Sequence, residues 1–159
     1  MITPDSADSL SNQARALLAG TQDPIANAAN LSAFIFQNIP LLNWAGFYRL
    51  VDGRLLLGPF QGKFACVEIA LDKGVCGKAA RERKTQVVGD VLSFPGHIAC
   101  DAASRSEIVV PLITQEGRLL GVLDIDSPVA DRFQPTDVEL MEEFAAIFLA
   151  SISDKTESF

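Results

Sequence analysis

The side chains best suited to chemistry are three cysteines and one histidine, all in the middle of the chain. His97 and Cys100 share a polar, turn-rich segment that spans residues 89–107. Connections inside compact domains are usually about 4–6 residues long, so this segment is predicted to be a site loop. Cys66 and Cys76 precede it in loop-like sequence of their own. The pattern indicates thiol chemistry and leaves its kind open.

A cysteine attacks as the thiolate, which a helix N-terminus or a neighbouring imidazole favours. Cys76 is predicted at the start of a short helix and Cys100 follows His97 by three positions, while Cys66 sits among turn residues. All three thiols could therefore be reactive. Two simpler readings stay open: a cysteine often only fills a core, and His97 could serve only to satisfy its own loop.

A zinc site is another possibility, formed by His97 and Cys100 and completed by Cys66 and Cys76. Structural zinc sites usually contain a Cys-x-x-Cys pair, which the sequence lacks. We therefore expect no metal and no organic cofactor.

Carboxylates and aromatic residues form a second group. Asp124 and Asp126 are two apart on a predicted strand and project to one face, and Glu107 begins the strand expected to lie beside it. In a pocket, such carboxylates can bind a cation and share a proton. Trp44 and Tyr48 also share a face and predict an apolar wall that accepts a methyl or ammonium group. A solvated strand end and core aromatics are the alternatives.

The elements that position these residues follow from the hydrophobic period, which changes from helical to alternating near Asn43. Two helices are predicted first, over residues 6–19 with Gly20 as C-terminal cap and over residues 24–39 with Asp23 as N-cap. The elements predicted next are a strand at 44–51, a turn at 52–53, a strand starting at 54–57, a break at 58–62, a strand at 66–71, a helix at 74–83 and a strand at 85–88. A hairpin of residues 107–113 and 118–126, a helix over 135–154 and a frayed tail complete the chain.

This order predicts an α+β fold, with an antiparallel sheet on which the N-terminal and C-terminal helices pack. The second hairpin is nearly continuously apolar, which places it in the middle of the sheet. A chain of 159 residues with 48% apolar content suits one domain over residues 1–159. Within it we expect a helical segment at 1–40 and site loops at 58–84 and 89–107.

Charge and composition narrow the partners. The net charge is -7 and the 13 basic residues are scattered, which argues against nucleic acid or an anionic membrane. The N-terminus has no signal-peptide pattern, and no apolar run approaches the roughly 18 residues of a membrane helix. We expect a cytoplasmic protein whose thiols are reduced at rest, with any disulfide transient.

Six motifs between residues 43 and 128 closely resemble those of the free methionine-(R)-sulfoxide reductases, which are built on a GAF domain. They are N-W-A-G-F-Y (43–48), G-P-F-Q-G-K (58–63), A-C (65–66), G-V-C-G (74–77), F-P-G-H-I-A-C-D-A-A-S-R-S-E-I-V-V-P-L (94–112) and G-V-L-D-I-D-S (121–127). The resemblance implies an enzyme that reduces the R epimer of free methionine sulfoxide and is recycled by thioredoxin. A homodimer formed through the N-terminal helices is compatible with it.

By this resemblance Cys100 is the nucleophile that becomes a sulfenic acid, Cys66 is the resolving thiol and Cys76 is a second candidate for resolution. Phe64 and Glu68 depart from the family pattern, which often has Pro and Arg there, and they affect the shape and charge of the Cys66 loop. The resemblance also implies a substrate pocket, formed by Trp44, Tyr48, Glu107, Asp124 and Asp126.

Two other classes of function remain. GAF domains are often small-molecule-sensing modules, but those usually sit beside an output domain, for which 159 residues leave no room. A thiol redox switch needs only a cysteine pair and leaves the aromatic residues and carboxylates unexplained. We expect the enzyme.

Overall fold

The structure, a computed structural model, describes residues 2–97 and 101–159. In chain order its elements are α1 (Pro4–Leu18), α2 (Pro24–Asn38), β1 (Trp44–Val51), β2 (Arg54–Gly62), β3 (Glu68–Ala70), α3 (Gly74–Glu82), β4 (Gln86–Val88), a 3₁₀ turn (Val91–Ser93), β5 (Ser106–Ile113), β6 (Leu119–Ser127) and α4 (Pro135–Ser151). Within these residues the strands form one sheet in the order β3-β2-β1-β6-β5-β4, antiparallel at every junction. The predicted α+β class is confirmed.

The sheet has two differently covered faces, because side chains alternate along each strand. One face carries Ala45, Phe47 and Ile125 and packs against α2 and α4 in the main core, and α1 packs on these two helices. The other face carries Trp44 and Tyr48 and is covered by α3. No helix in the described part of the chain has the length and apolarity to cross a membrane.

The N-terminal helices form where predicted, with corrected ends. Asp23 caps α2 by accepting a hydrogen bond from the Ala26 amide at 2.8 Å. Helix α1 begins earlier than expected, because Thr3 caps it in a reciprocal arrangement with a serine one turn on. The predicted cap at Gly20 is wrong: Ala19 ends the helix in a right-handed conformation and bonds back to the last turn.

Strand β2 corrects the predicted break at residues 58–62, since it continues through them to its end. Gly46 of β1 pairs with Phe60, yet two residues further along β1 the partner is already Leu57. Strand β2 therefore contains one extra residue, a bulge, which is where a sheet tolerates a residue such as Pro59 that has no amide hydrogen.

The bulge decides which side chain of β2 faces α3. It puts Phe60 opposite Gly46, where a Cβ on the glycine would lie only 2.3 Å from the Phe60 Cβ. The Phe60 ring fills the space that glycine leaves open and stacks on Trp44, with ring centroids 5.2 Å apart.

The middle of the chain is more irregular than predicted. The strand expected at 66–71 is confined to Glu68–Ala70, and Cys66 lies in the loop before it. The carbonyl oxygen of Cys66 accepts a hydrogen bond from the Tyr48 hydroxyl at 2.8 Å, so the loop is attached to β1 by a side chain instead of by strand pairing. The second hairpin has neighbours on both sides, which confirms its predicted central position.

The C-terminal segment corrects two expectations. Helix α4 ends at Ser151 instead of residue 154, because Ile152 turns to an extended conformation and buries its side chain. The tail is not frayed at its end. The Phe159 ring packs against Phe47 and Phe148, at centroid distances of 6.0 and 5.4 Å.

We expect Phe159→Ala to lower the free energy of unfolding by about 3 kcal/mol, the usual size of a buried Phe truncation. Only 9% of Phe159 is exposed, whereas Phe64 is 90% exposed, so Phe64→Ala is a control expected within about 0.5 kcal/mol of the parent protein. Urea unfolding measures both values. Equal midpoints for the two variants would contradict the packed tail.

Candidate functional site

A cleft with a volume of about 50 Å³ opens between α3 and the sheet face that α3 covers. The predicted site residues that line it are Trp44, Tyr48, Cys76, His97, Glu107, Asp124 and Asp126. Ala65, next to Cys66, also lines the cleft. Cys100, the predicted nucleophile, lies outside the described residues.

The three carboxyl groups come from adjacent strands and converge as predicted. Glu107 of β5 pairs directly with Asp126 of β6, and Asp124 lies two residues away on the same face. All three are nearly buried, with 5–9% of each residue exposed. Trp44 pairs with Asp126 from the other side, so the aromatic residues border the acidic group.

Burial raises the pKa values of these three acids by different amounts, so they differ in protonation at neutral pH. It raises the pKa of Glu107 and of Asp126 well above the usual range, and the negative charge of Asp124 adds to both shifts. Burial also raises the pKa of Asp124, but hydrogen bonds with Glu107 and Cys76 oppose the shift, leaving it at about 6. At neutral pH this group of three acids therefore holds one anion, Asp124, beside two protonated carboxyl groups.

Asp124→Asn should stabilise the fold at neutral pH. The folded-state pKa of Asp124, about 6, exceeds the ordinary 3.8, so its contribution to stability is full below about pH 4 and is lost as pH rises through 6. A shift of about two pKa units corresponds to about 3 kcal/mol. Urea unfolding measures the free energy of unfolding of the variant relative to that of the parent protein. This difference should increase in favour of the variant between pH 4 and pH 7.5, by up to about 3 kcal/mol.

The exposed Asp72 provides the matched control for this experiment. Asp72→Asn should change the free energy of unfolding by less than about 0.5 kcal/mol at either pH, because it is an exposed surface position. If Asp124→Asn is less stable than the parent protein at pH 7.5, the buried charge of Asp124 does not destabilise the fold, and the prediction is wrong.

Cys76 lies inside the acidic cluster. Its Sγ is 3.9 Å from Oε1 of Glu107, and only 4% of the residue is exposed. Burial raises the pKa of the Cys76 thiol well above the usual range, and the negative charge of Asp124 raises it further. The predicted activation of Cys76 by the start of α3 is therefore wrong, because the small positive dipole there is outweighed by burial and neighbouring acids.

Trp44 and Tyr48 lie on one face, as predicted, with ring centroids 5.8 Å apart. Their polar atoms hold the loop that carries Cys66. Nε1 of Trp44 donates to the Lys63 carbonyl oxygen at 3.1 Å, and the Tyr48 hydroxyl donates to that of Cys66. Burial, reinforced by the charge of Asp124, raises the pKa of Tyr48, so the phenol stays a neutral donor. The aromatic wall thus also positions a cysteine.

Cys66 is disulfide-bonded, whereas Cys76 is a free thiol. The structure therefore shows Cys66 in an oxidised state, whereas the sequence predicts thiols that are reduced at rest. The reductant that is available to the protein determines which of the two states is populated.

His97 lines the cleft, its backbone amide donates to the Phe94 carbonyl oxygen, and burial lowers the pKa of its imidazole. The zinc alternative requires His97 beside Cys76. Among residues 2–97 and 101–159, the metal-ligating atoms that converge belong to Cys76, Glu107 and Asp124. His97 is not among them, and the part of the alternative that involves Cys100 lies outside the described residues.

Sequence reasoning missed several residues of the site, of which three bear on its chemistry. Phe60 extends the aromatic wall, Asp101 lines the cleft, and Asn43 supports Asp101 by donating from Nδ2 to Oδ2 at 2.9 Å. A backbone hydrogen bond from Ala103 lowers the pKa of Asp101, which stays ionised. All three stand within the motifs that carry the family resemblance, which was the available signal.

The profile of the GAF domain family matches residues 30–152, and with the curled antiparallel sheet it defines a GAF-domain protein. The free methionine-R-sulfoxide reductase of Escherichia coli is 48% identical over 137 residues, covering 86% of this chain and 82% of that protein. The enzyme of the same name from Saccharomyces cerevisiae is 46% identical over 127 residues, 77% of this chain and 71% of that protein. The chain belongs to the free methionine-(R)-sulfoxide reductase family, which confirms the predicted resemblance.

Solved structures agree with this assignment. The free methionine-R-sulfoxide reductase from Neisseria meningitidis, solved in complex with its substrate, superposes with a TM-score of 0.88 at 39% identity, over 95% of this chain and 92% of that one. The reduced form of the enzyme from Staphylococcus aureus gives 0.89 at 47% identity, over 96% and 100%.

Proposed function

We propose that this protein reduces free L-methionine-(R)-sulfoxide to L-methionine, with Cys100 as nucleophile and thioredoxin as reductant. The observation that carries the proposal is the cleft itself, in which one buried carboxylate and two protonated carboxyl groups border an aromatic wall. A free amino acid supplies the matching groups: an ammonium for the carboxylate and a methyl sulfoxide for the wall and the acids.

The ammonium group is held by Asp124, with Glu107 and Asp126 around it. Support comes from Oδ1 of Asp124, which is buried and has no hydrogen-bond partner among the described residues. Buried acceptors are nearly always paired, so an unpaired one indicates a donor that arrives with a ligand. The substrate methyl group then lies against Trp44 and Tyr48.

The reaction needs a thiolate and a proton donor. The Cys100 thiolate attacks the sulfoxide sulfur while Glu107 or Asp126, both protonated at neutral pH, supplies a proton to the sulfoxide oxygen. The oxygen is transferred to Cys100, which is oxidised to the sulfenic acid, and the sulfoxide sulfur gains two electrons and leaves as methionine. The sulfenic acid is a reversible oxidation state.

Recycling runs through Cys66. Its thiol condenses with the Cys100 sulfenic acid, water leaves, and the two electrons that reopen the disulfide come from thioredoxin by thiol exchange. The disulfide-bonded state of Cys66 and the free thiol of Cys76 favour Cys66 over Cys76 as the resolving residue. A thioredoxin-dependent cycle suits a cytoplasmic location.

The coupled assay tests this function: NADPH oxidation with thioredoxin, thioredoxin reductase and free methionine-(R)-sulfoxide, with released methionine measured by chromatography. Activity on the R epimer and almost none on the S epimer is expected. If dithiothreitol supports methionine release but thioredoxin does not, only the reductant is wrong. No methionine with either reductant would overturn the proposal. Light scattering on the same preparation checks the homodimer predicted through α1 and α2.

A further inference from the structure

The cleft contains a compact set of metal-binding atoms. Sγ of Cys76 and one carboxylate oxygen each of Glu107 and Asp124 all lie within 4.8 Å of one another, and all three residues are buried. The distance from Sγ to Oε1 of Glu107 is 3.9 Å. The three residues come from three different elements, α3, β5 and β6, so the sheet and its covering helix together hold this geometry.

A second observation indicates that the cluster is open to a ligand. Oδ1 of Asp124 is buried and has no hydrogen-bond partner among residues 2–97 and 101–159, and Asp124 as a whole is only 5% exposed. A carboxylate oxygen in that position gains from any positively charged group that reaches it, whether an ammonium or a metal ion.

We propose that the substrate-free cleft binds one thiophilic divalent cation, with Zn²⁺ as the type case, through Cys76, Glu107 and Asp124. The ion occupies the place of the substrate ammonium group and inhibits the enzyme. The inhibition rests on the proposed function, whereas the binding site does not.

The donor set suits zinc. In a tetrahedral zinc site the Zn–S and Zn–O bonds are about 2.3 and 2.1 Å, which puts neighbouring donors about 3.5 Å apart. The cluster therefore needs a closure of about 1.3 Å at most, and water completes the fourth position. On binding, the Cys76 thiol and Glu107 release their protons to solvent.

The same donors discriminate against the common hard cations. Mg²⁺ requires near-octahedral oxygen ligands and retains several waters, whereas a thiolate with two carboxylates selects softer ions.

Cys76 is a free thiol while Cys66 is disulfide-bonded, so the site is present in oxidised protein. The Cys76 variants described below decide whether a sulfur-to-metal signal comes from this thiol.

The test is a titration of Co²⁺ into oxidised, metal-free protein, followed by the near-ultraviolet sulfur-to-cobalt charge-transfer band. We expect the band to saturate at about one equivalent and to disappear when Zn²⁺ is added, because Zn²⁺ replaces Co²⁺ in such sites. Millimolar Mg²⁺ should leave it unchanged. No band, or a band that Mg²⁺ abolishes, would overturn the proposal.

Variants assign the ligands. Cys76→Ser and Cys76→Ala should both lose the band while keeping a cooperative thermal transition, and Asp124→Asn should weaken Co²⁺ binding at least tenfold, about the loss that even an outer ligand partner causes. Glu82→Gln, at an exposed position of α3, is the matched control and should bind like the parent. A band that persists without the Cys76 thiol would overturn the assignment.

Competition separates the two parts of the proposal. Free methionine-(R)-sulfoxide should raise the Co²⁺ concentration needed for half-saturation, and Zn²⁺ should inhibit turnover competitively in the parent but not in a Cys76→Ser enzyme that retains activity. Metal binding that the sulfoxide leaves unchanged would overturn the inhibition. The band without any sulfoxide reduction would uphold the metal site and overturn the proposed function instead.

Discussion

The Cys100→Ser enzyme is expected to release no methionine from free methionine-(R)-sulfoxide, even in a single turnover. The only other thiols are Cys66, which serves recycling in the proposed cycle, and Cys76, whose raised pKa keeps it protonated. Loss of a nucleophile that acts with its proton donor costs about 10⁴-fold or more in rate. Rapid quenching of reduced enzyme with an equimolar amount of substrate measures the released methionine.

The matched variant is Cys66→Ser. It should release about one methionine per enzyme and then stop with thioredoxin, because only recycling is lost. If Cys66→Ser fails to give this first methionine while Cys100→Ser gives it, the two roles are reversed. Steady turnover by Cys66→Ser at the parent rate would assign resolution to Cys76 instead.

The second large effect is discrimination between free and N-acetylated methionine-(R)-sulfoxide. Acetylation replaces the ammonium group by a neutral amide, so Asp124 would remain charged, buried and unpaired beside the substrate. An unpaired buried charge costs more than the roughly 1–3 kcal/mol of a neutral group, which predicts a kcat/KM at least about 100-fold lower. Steady-state kinetics on the two substrates measures the ratio.

Asp124→Asn tests whether this carboxylate causes the discrimination. The substitution should lower kcat/KM for the free amino acid strongly and leave the small residual activity on the acetylated one almost unchanged. Lowering the pH through about 6 should act in the same direction, because protonation removes the same charge. Comparable kcat/KM values for both substrates in the parent enzyme would refute the ammonium pocket.

The strands that build the cleft could be predicted because their signals are local. Alternation fixed β1 and its two-residue turn, and the apolar second hairpin implied the pairing of Glu107 with Asp126. The continuation of β2 was missed because Gly58 and Pro59 normally interrupt a strand, and only the partner strand shows that they form a bulge. Phe159 was missed because two of its contacts, Phe47 and Arg49, lie about 110 residues away in sequence.

The chemistry of the site was predicted in part for a similar reason. Residue types indicated a cation site and reactive thiols, and the strand pattern brought the acids together. The state of Cys76 depends on burial by α3 and on the charge of Asp124 from β6, neither of which is visible in the residues that flank the cysteine. Local sequence suggested an activated thiol, whereas the assembled fold produces a protonated one.

The extra residue in β2 has a consequence for how chains of this family can differ in length. Deletion of Gly58 would remove the bulge and place Pro59 directly opposite Phe47 in the ladder, where a residue without an amide hydrogen interrupts the pairing of β1 with β2. Deletion within the exposed turn at residues 114–117 would only shorten a hairpin. We expect relatives with the same cleft to vary in length at that turn, while insertions and deletions are excluded from β2.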